Sequence, residues 1–439
     1  MKRGNAIALR WQIVVRVILL LMALMICDFC APRSNRYPRG GEKSYHKPYS
    51  QKEEELKATM FLFHGLNNTT FLYYKIKSEQ LLYSKGDTGS RYLANVKVNY
   101  ILRSSPDARQ VIDSGAFFIQ DQDTQVPAGK LVTGYFPLNV KDSVDLYLEA
   151  KLLDLKSRKA GARYIHCYKM DVYSQQNFLV RDTFGNVIFS NKIAQGNVCR
   201  VSNQRAAFSF ASVSLYHTDY SLPPPPYSSH EPNLYPAIPD SVFDIFPADS
   251  HNFQLNIRTQ GLYFIRLDAK GGGGCMLLGV EPNFPLVQNR DQMIAATRFI
   301  MNKDEYAQMV GAADKKAAIE KFWLGIGGNQ DRARQLIKRY YGRVQDANTL
   351  FTSHIEGWKT DMGMIYIIFG SPTNTYKTAG METWQYGQEG TPGSVSFQFE
   401  KVMNPFSENC YKLRRNPNFR DPWILAADNW REGRVSLDD

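Results

Sequence analysis

The period of the hydrophobic pattern changes near residue 285, and this change constrains the fold more than any other feature of the sequence. Upstream, apolar residues alternate with polar ones in short runs between turn residues, most clearly over residues 94–100. Such alternation is typical of strands with one buried face. Downstream, apolar residues recur every three or four positions, as they do in amphipathic helices. We therefore expect a multidomain protein in which β modules precede a C-terminal α+β domain.

The upstream part contains enough strand-like runs for two β-sandwich-like (Ig-like) modules. In the first, predicted over 58–160, the runs are 71–78, 92–102, 115–120, 131–140 and 143–154. In the second, predicted over 161–284, they are 175–190, 205–217, 252–257, 261–267 and 275–280, and the first two of these each predict a pair of strands. A proline run at 223–226 opens a loop-rich stretch in this module. The 439 residues suit this division, because a domain usually contains about 100–200 residues.

The downstream part, residues 285–439, is predicted to combine helices with a small sheet. Asn302 and Glu305 have the spacing of a capping box before a short helix, and a second helix is expected over about 314–324. The strongest periodic segment, residues 329–351, predicts a long amphipathic helix. A continuous apolar run then predicts a buried strand, and two alternating runs are its candidate partners: 364–370, 381–387 and 394–400.

The N-terminus has the layout of a secretory signal peptide, predicted over residues 1–26. Basic residues precede an uninterrupted run of eleven apolar residues, which is too short for a hydrocarbon core that needs about 20. Cys27, at the end of this run, resembles the acylated cysteine of bacterial lipoproteins, and Cys30 is the second candidate. Cleavage without lipidation is the alternative. Residues 27–57 are polar and basic and are predicted to form a tether.

Sequence patterns that would indicate catalysis or cofactor binding are missing. The seven histidines never have the spacing of two metal ligands on one helix face, and no HExxH or GxSxG segment occurs. The formal charge of +11 is spread along the chain without a nucleic-acid-binding pattern. We therefore expect no metal, no cofactor and no nucleic-acid partner, and we assign no catalytic residue. Four scattered cysteines could form a disulfide or remain isolated buried thiols: Cys167, Cys199, Cys275 and Cys410.

The most distinctive segment is EGWKTDMGMIYIIFGSP, residues 356–372. Gly357 is predicted to end the long helix in the left-handed conformation, and Trp358 offers a large apolar anchor. Thr360 and Asp361 have side chains that can bond backbone amides in the turn. The segment then closes with the residues Gly370, Ser371 and Pro372.

This segment resembles the GWxTD domain family, found in exported proteins of Bacteroidota and related bacteria. The resemblance extends over about residues 285–433 and includes four further positions: Trp323, Gly363, Trp384 and Trp430. Met362 stands where the family usually has Arg, so an ion pair made by that cation is lost or moved here. Since Gly, Trp, Thr and Asp are ordinary turn and anchor residues, a structural turn is the preferred interpretation of the motif and a ligand site is the alternative.

The resemblance implies an exported, lipid-anchored protein, and the family has no established activity to carry over. We therefore expect a non-enzymatic component of the Gram-negative cell envelope, attached to the outer membrane on its periplasmic or surface face. Its expected role is to dock onto an outer-membrane or periplasmic protein complex. The alternative is an envelope enzyme or glycan-binding protein that acts on cell-wall or surface polysaccharide.

Overall fold

A computed structural model describes residues 43–46 and 55–435, except 87–88, 90, 107, 141–143, 218–220, 233–237, 248, 250, 268–272, 379 and 392. The predicted signal peptide and the candidate lipidation sites, Cys27 and Cys30, lie outside the described residues. Within them, no helix combines the length and the apolar character that crossing a membrane requires.

The first module consists of two antiparallel sheets around one core. After β1 (Lys43–His46), its strands are β2 (Ala58–His64), β3 (Thr70–Lys77), β4 (Ser84–Lys85), β5 (Tyr92–Arg103), β6 (Asp113–Asp123), β7 (Leu131–Leu138), β8 (Leu146–Asp154) and β9 (Ala160–Cys167). One sheet has the order β2-β3-β7; in the other, β5 pairs with β4, β6 and β8, and β8 pairs with β9. Alternate residues of both sheets point into the same core, as Leu72, Val98 and Leu148 do.

The second module repeats this arrangement with different strand orders. Its strands are β10 (Phe178–Arg181), β11 (Lys192–Ala194), β12 (Val198–Asn203), β13 (Ala211–Tyr216), β14 (Ser241–Ile245), β15 (Asn252–Asn256), β16 (Gly261–Arg266) and β17 (Cys275–Val280). The sheets β10-β12-β15 and β11-β17-β16-β13-β14 enclose a core that includes Val201, Val213 and Leu277. The pair β11–β17 is parallel, and the other paired strands of this module are antiparallel.

The C-terminal part combines helices with an antiparallel sheet. The helices are α1 (Arg290–Ala296), α2 (Lys303–Val310), α3 (Lys315–Gly327), α4 (Gln330–Phe351), α5 (Asp361–Phe369) and α6 (Arg420–Arg431). The strands β18 (Asn374–Lys377), β19 (Met381–Tyr386), β20 (Val395–Lys401) and β21 (Tyr411–Leu413) form a sheet of order β1-β18-β19-β20-β21. At α2 the capping box predicted from Asn302 and Glu305 is confirmed, since each residue's side chain accepts the other's backbone N–H.

The prediction of a buried strand over 364–370 is wrong, because residues 364–369 belong to α5 and Gly370 is its C-cap. Eight of the nine residues of α5 are buried, so its sequence carries no polar stripe from which a helical period could be read. A short, continuously apolar run fits a buried strand and a buried helix equally well. The regions 175–190 and 205–217, each predicted as a pair of strands, contribute one strand each, β10 and β13.

Two stretches of the predicted tether belong to the folded part, residues 43–46 and 55–57. Strand β1, within 27–57, pairs antiparallel with β18 of the C-terminal sheet. Leu56 is fully buried in the core of the first module, and its amide donates to the carbonyl of Ala160. Strand β9, which follows the boundary predicted at residue 160, pairs with β8 and extends the first module to Cys167.

Aromatic side chains join the three parts of the chain. Phe61 and Tyr73 on the outer face of the β2-β3-β7 sheet pack with Phe189, which lies between β10 and β11. Phe406, in the loop between β20 and β21, packs edge-to-face on Phe264 of the second module. Two apolar contacts therefore link the second module to its neighbours.

Candidate functional site

The motif begins as a tight turn that only glycine can make. Helix α4 ends at Phe351, and Gly357 starts a short 3-10 turn, Gly357–Lys359, whose first amide donates to the Thr352 hydroxyl at 2.9 Å. A Cβ atom at residue 357 would lie 1.9 Å from the Ala347 carbonyl oxygen. The prediction that Gly357 ends the helix in the left-handed conformation is wrong, since the described glycines with positive φ do not include it. Close approach to α4 is what requires glycine here.

The central motif residues are buried beneath this turn. Trp358 is 1% exposed and packs edge-to-face on Phe299 at a ring separation of 6.5 Å. The hydroxyl of Thr360 accepts the Gly363 amide at 3.0 Å and caps the N-terminus of α5. A Cβ atom at Gly363 would lie 1.9 Å from the carbonyl oxygen of Gly357. The turn and the start of α5 are therefore packed backbone against backbone.

Asp361 makes a buried ion pair with a distant arginine. Its two carboxylate oxygens accept from the Arg415 guanidinium at 2.5 and 3.1 Å, and one of them accepts the Leu413 amide at 2.9 Å. Burial raises the pKa of Asp361, and the Arg415 guanidinium opposes that shift. Arg415 also donates to the carbonyl of Pro224 at 3.1 Å. The carboxylate thus connects the motif to the strand β21 region and to the proline run of the second module.

Side chains outside the motif bind the backbone carbonyls at the C-terminal end of α5. Gly370 has φ +82°, and Pro372 is buried just after it. Arg343, itself buried, donates to the carbonyls of Ile367 and Ile368, and the Trp430 indole donates to Ile368 at 3.1 Å. Carbonyls that a helix end leaves without intrahelical partners are therefore satisfied by side chains.

The remaining positions singled out from the resemblance also lie in the core. Trp323 packs against Tyr340 at 5.3 Å. The Trp384 indole donates to Glu382 at 2.7 Å. Met362, the departure from the family pattern, is 3% exposed and joins the same core cluster.

The space beside the motif is too small for an organic ligand. A cavity of about 30 Å³ touches Thr360, Asp361 and His354. This volume corresponds to about one water molecule. The motif residues therefore build a packed turn, and they do not line a ligand-sized cleft in the described part of the chain.

A larger cleft lies where the three parts of the chain meet. Its volume is about 750 Å³, within the usual range of about 300–1,000 Å³ for ligand sites. Its lining comes from four stretches far apart in sequence, 60–62, 165–191, 273–277 and 403–408, and includes Leu62, Phe178 and Phe406. All three side chains are buried, so the floor of the cleft is apolar. We call this feature the three-way cleft.

The rim of the three-way cleft carries carboxylates and no cation. Asp171 and Glu408 are exposed at its edge, and Tyr168 donates a hydrogen bond to Glu408. Burial, followed by this hydrogen bond, raises the pKa of Tyr168, so its phenol stays protonated at neutral pH. Among the described lining residues there is no Lys or Arg, although the chain contains 53 of them. The cleft therefore suits an apolar group that carries a positive charge.

The three-way cleft was not predicted from the sequence. Its best local signal is Asn404, which precedes Pro405 in the loop between β20 and β21. The Asn404 side chain accepts the amides of Phe406 and Ser407 at 3.0 and 2.9 Å, and this fixes the loop that presents Phe406. That pattern predicts an ordered turn, but it does not reveal which module the turn contacts.

The four cysteines of the described chain are free, buried thiols, so of the two alternatives the isolated thiols are found. Burial raises the pKa of Cys167, Cys199 and Cys275 to about 12 and that of Cys410 to about 11. These thiols are therefore protonated at neutral pH. Within the described residues, no group of three or more His, Cys, Asp or Glu side chains is arranged to hold a metal ion.

The GWxTD domain family matches residues 261–432 of the chain. The matched range begins with β16 of the second module and ends just after α6, so it contains the whole motif. A comparison with curated proteins gives no match.

Proposed function

The chain contains a GWxTD domain in residues 261–432, and from this premise we propose that it is a non-enzymatic interaction or assembly component of the cell envelope. In this proposal a partner protein of an envelope complex binds in the three-way cleft. The observation that carries it is the combination of an apolar floor with a rim that contains carboxylates and no cation.

The apolar floor and the acidic rim of the three-way cleft determine which kind of partner segment can bind there. Burying apolar side chains on a floor made by residues such as Leu62 and Phe178 supplies the main driving force. A Lys or Arg on the same segment would pair with Glu408 or Asp171 and fix its orientation. The expected occupant is therefore a partner segment with apolar side chains and at least one cation.

The motif has a different part in this proposal. Phe406 lies at the cleft, whereas Asp361 and Trp358 are buried in the core of the C-terminal part. By fixing α5 and the region of β21, the motif supports the sheet from which the Phe406 loop extends. The motif is proposed to act as a structural turn that positions this loop.

The location of the protein is part of the same proposal. A signal peptide over residues 1–26, acylation of Cys27 with Cys30 as the second candidate, and attachment to the outer membrane rest on the sequence. The finer assignment of the two β modules as Ig-like sandwiches is also proposed. It is supported by the two sheets, antiparallel except for the pair β11–β17, that face each other across each core.

A pair of methionine variants tests the proposal. Met403 is 80% exposed on the rim of the cleft, and Met170 is 64% exposed but does not line it. Met403→Asp should weaken partner recovery in mild detergent by about tenfold, because an interface residue is replaced by a charge that matches the rim in sign. Met170→Asp is the matched control and should leave recovery unchanged.

Two results would contradict the proposal. One is equal loss of recovery in both variants, since it would show a general surface effect. The other is turnover of a cell-wall glycan that Glu408→Gln abolishes, which would make the enzyme alternative the better account.

A further inference from the structure

We propose that a second groove, which meets the three-way cleft at residues 188–190, binds an acidic saccharide. This groove has a volume of about 780 Å³ and lies between the outer face of the β2-β3-β7 sheet and residues 181–190 of the second module. Its lining includes Tyr73, Lys75, Tyr135, Arg181 and Phe189. We call it the aromatic groove. The two grooves share residues 188–190, but Lys75, Tyr135 and Arg181 do not line the three-way cleft, so these side chains test the aromatic groove separately from the docking function proposed above.

The register of the sheet creates an aromatic surface along the groove. In the antiparallel pairing, Phe61 lies opposite Tyr73, and Tyr73 lies opposite Tyr135. The ring centroids of Phe61 and Tyr73 are 5.1 Å apart, and those of Tyr73 and Tyr135 are also 5.1 Å apart. Tyr73 is buried, whereas Tyr135 is 57% exposed. The stack therefore holds Tyr135 in place while leaving part of the ring accessible.

Two cations lie on the same groove without a carboxylate partner among the described residues. Lys75 is the next outward-facing residue on β3 after Tyr73, and its ammonium lies 5.3 Å from the centre of the Phe189 ring. Arg181 reaches the Ser202 hydroxyl at 3.5 Å. Burial, followed by the nearby Lys77, lowers the pKa of Lys75, so an anion bound there would relieve an unfavourable environment.

The one carboxylate that lines the groove is engaged locally. Asp182 accepts from the amides of Phe184 and Asn186 at 2.9 and 2.8 Å, and from the Asn186 side chain at 3.0 Å. These contacts stabilise the turn before Phe189. They also lower the pKa of Asp182, and the hydrogen bond from the Asn186 side chain is the largest cause. Lys75 and Arg181 thus remain available to a ligand.

This combination matches an acidic sugar. The C–H face of a pyranose ring carries partial positive charge and packs on the negative face of an aromatic ring such as Tyr135. A carboxylate on the sugar would bond to Lys75 or Arg181. A single-stranded nucleic acid needs a continuous cationic path for its phosphates, and two cations beside Asp182 do not provide one. The geometry therefore favours a saccharide with isolated carboxylates.

Binding of oligogalacturonate to the full chain, measured by titration calorimetry, tests the inference. The unmodified protein should bind it and should not bind a neutral cello-oligosaccharide of the same length. Tyr135→Ala and Lys75→Gln should each weaken binding by about tenfold, through loss of stacking and of charge respectively. Lys75→Gln should also reduce the dependence of binding on salt.

Matched controls separate this site from the rest of the surface. Tyr164, 52% exposed on β9, and the exposed Lys156 lie outside the groove. Tyr164→Ala and Lys156→Gln should bind oligogalacturonate normally. Met403→Asp should also bind it normally, so that failure of the docking proposal and failure of this one can be told apart.

Three results would overturn the inference. The first is that Tyr135→Ala binds oligogalacturonate as tightly as the unmodified protein, and the second is that the neutral oligosaccharide binds as tightly as oligogalacturonate. The third is that an oligothymidylate binds more tightly than oligogalacturonate and that Tyr135→Ala and Lys75→Gln both weaken its binding. The last result would assign the groove to single-stranded nucleic acid.

Discussion

Replacing Asp361 with Asn should destabilise the C-terminal part by about 3–5 kcal/mol, because the change leaves a buried cation without its partner. The side chains of Asp361 and Arg415 are 1% and 3% exposed. An Asn at residue 361 can still accept the Leu413 amide, but its NH₂ group would face the guanidinium. Both side chains are almost inaccessible to bulk water, so most of the penalty is expected.

A double-mutant cycle isolates the pair. Arg415→Met alone should also cost about 3–5 kcal/mol, since it leaves the carboxylate buried. The combination of Asp361→Asn with Arg415→Met should cost less than the sum by about 2–3 kcal/mol, because the second change removes the charge that the first left unpaired. The control is Glu320→Gln, which breaks the exposed Lys316–Glu320 pair and should change stability by less than about 0.5 kcal/mol.

Urea unfolding followed by tryptophan fluorescence measures these changes. Five of the six tryptophans lie between residues 323 and 430, so the signal reports the part of the chain that contains the pair. An unchanged urea midpoint for Asp361→Asn, or strict additivity in the cycle, would show that the Asp361–Arg415 pair does not stabilise the fold. If Asp361→Asn abolished partner recovery without lowering stability, the structural interpretation of the motif would also be wrong.

Two further predictions concern the helices and the N-terminus. Hydrogen bonds from Arg431 lower the pKa of Glu305 from its ordinary value of 4.5. The ion pair therefore stabilises the fold at pH values above 4.5. This contribution is lost as the pH falls through the lowered pKa of Glu305. The difference in melting temperature between the unmodified protein and Glu305→Gln should therefore shrink on acidification, and a difference that grows at low pH would contradict this. Intact-mass analysis of protein from cells should show loss of residues 1–26 and acyl groups on Cys27, whereas retention of Met1 or an unmodified N-terminus beyond Cys30 would refute lipidation.

Local periodicity predicted the elements whose two faces differ. In strand β5, Ala94, Val96 and Val98 are buried and the residues between them are less buried. Its sequence therefore shows the period of 2 that is typical of a strand. Helix α4 has a buried stripe and a polar face, and its extent, Gln330–Phe351, matches the predicted range 329–351. Helix α5 is buried on all sides, which removes the period, and its sequence was indistinguishable from that of a strand.

Contacts between distant residues could not be predicted in this way. Asp361 was expected to bond nearby amides, but its partners are Leu413 and Arg415, more than fifty residues away. The three-way cleft combines stretches around Leu62, Phe178 and Phe406, none of which forms a motif. Such sites depend on how modules pack, and packing between modules leaves no period in the sequence.

Site-specific photocrosslinking from the three-way cleft tests the docking proposal most directly. A benzophenone amino acid replaces Met403 in the full chain, with the same replacement at Met170 as control, and products from intact cells are mapped by mass spectrometry. The account predicts that Met403 crosslinks to one segment of an envelope protein that contains apolar side chains and a Lys or Arg. Equal labelling from Met403 and Met170, or a product from Met403 that contains saccharide or lipid but no partner peptide, would contradict it.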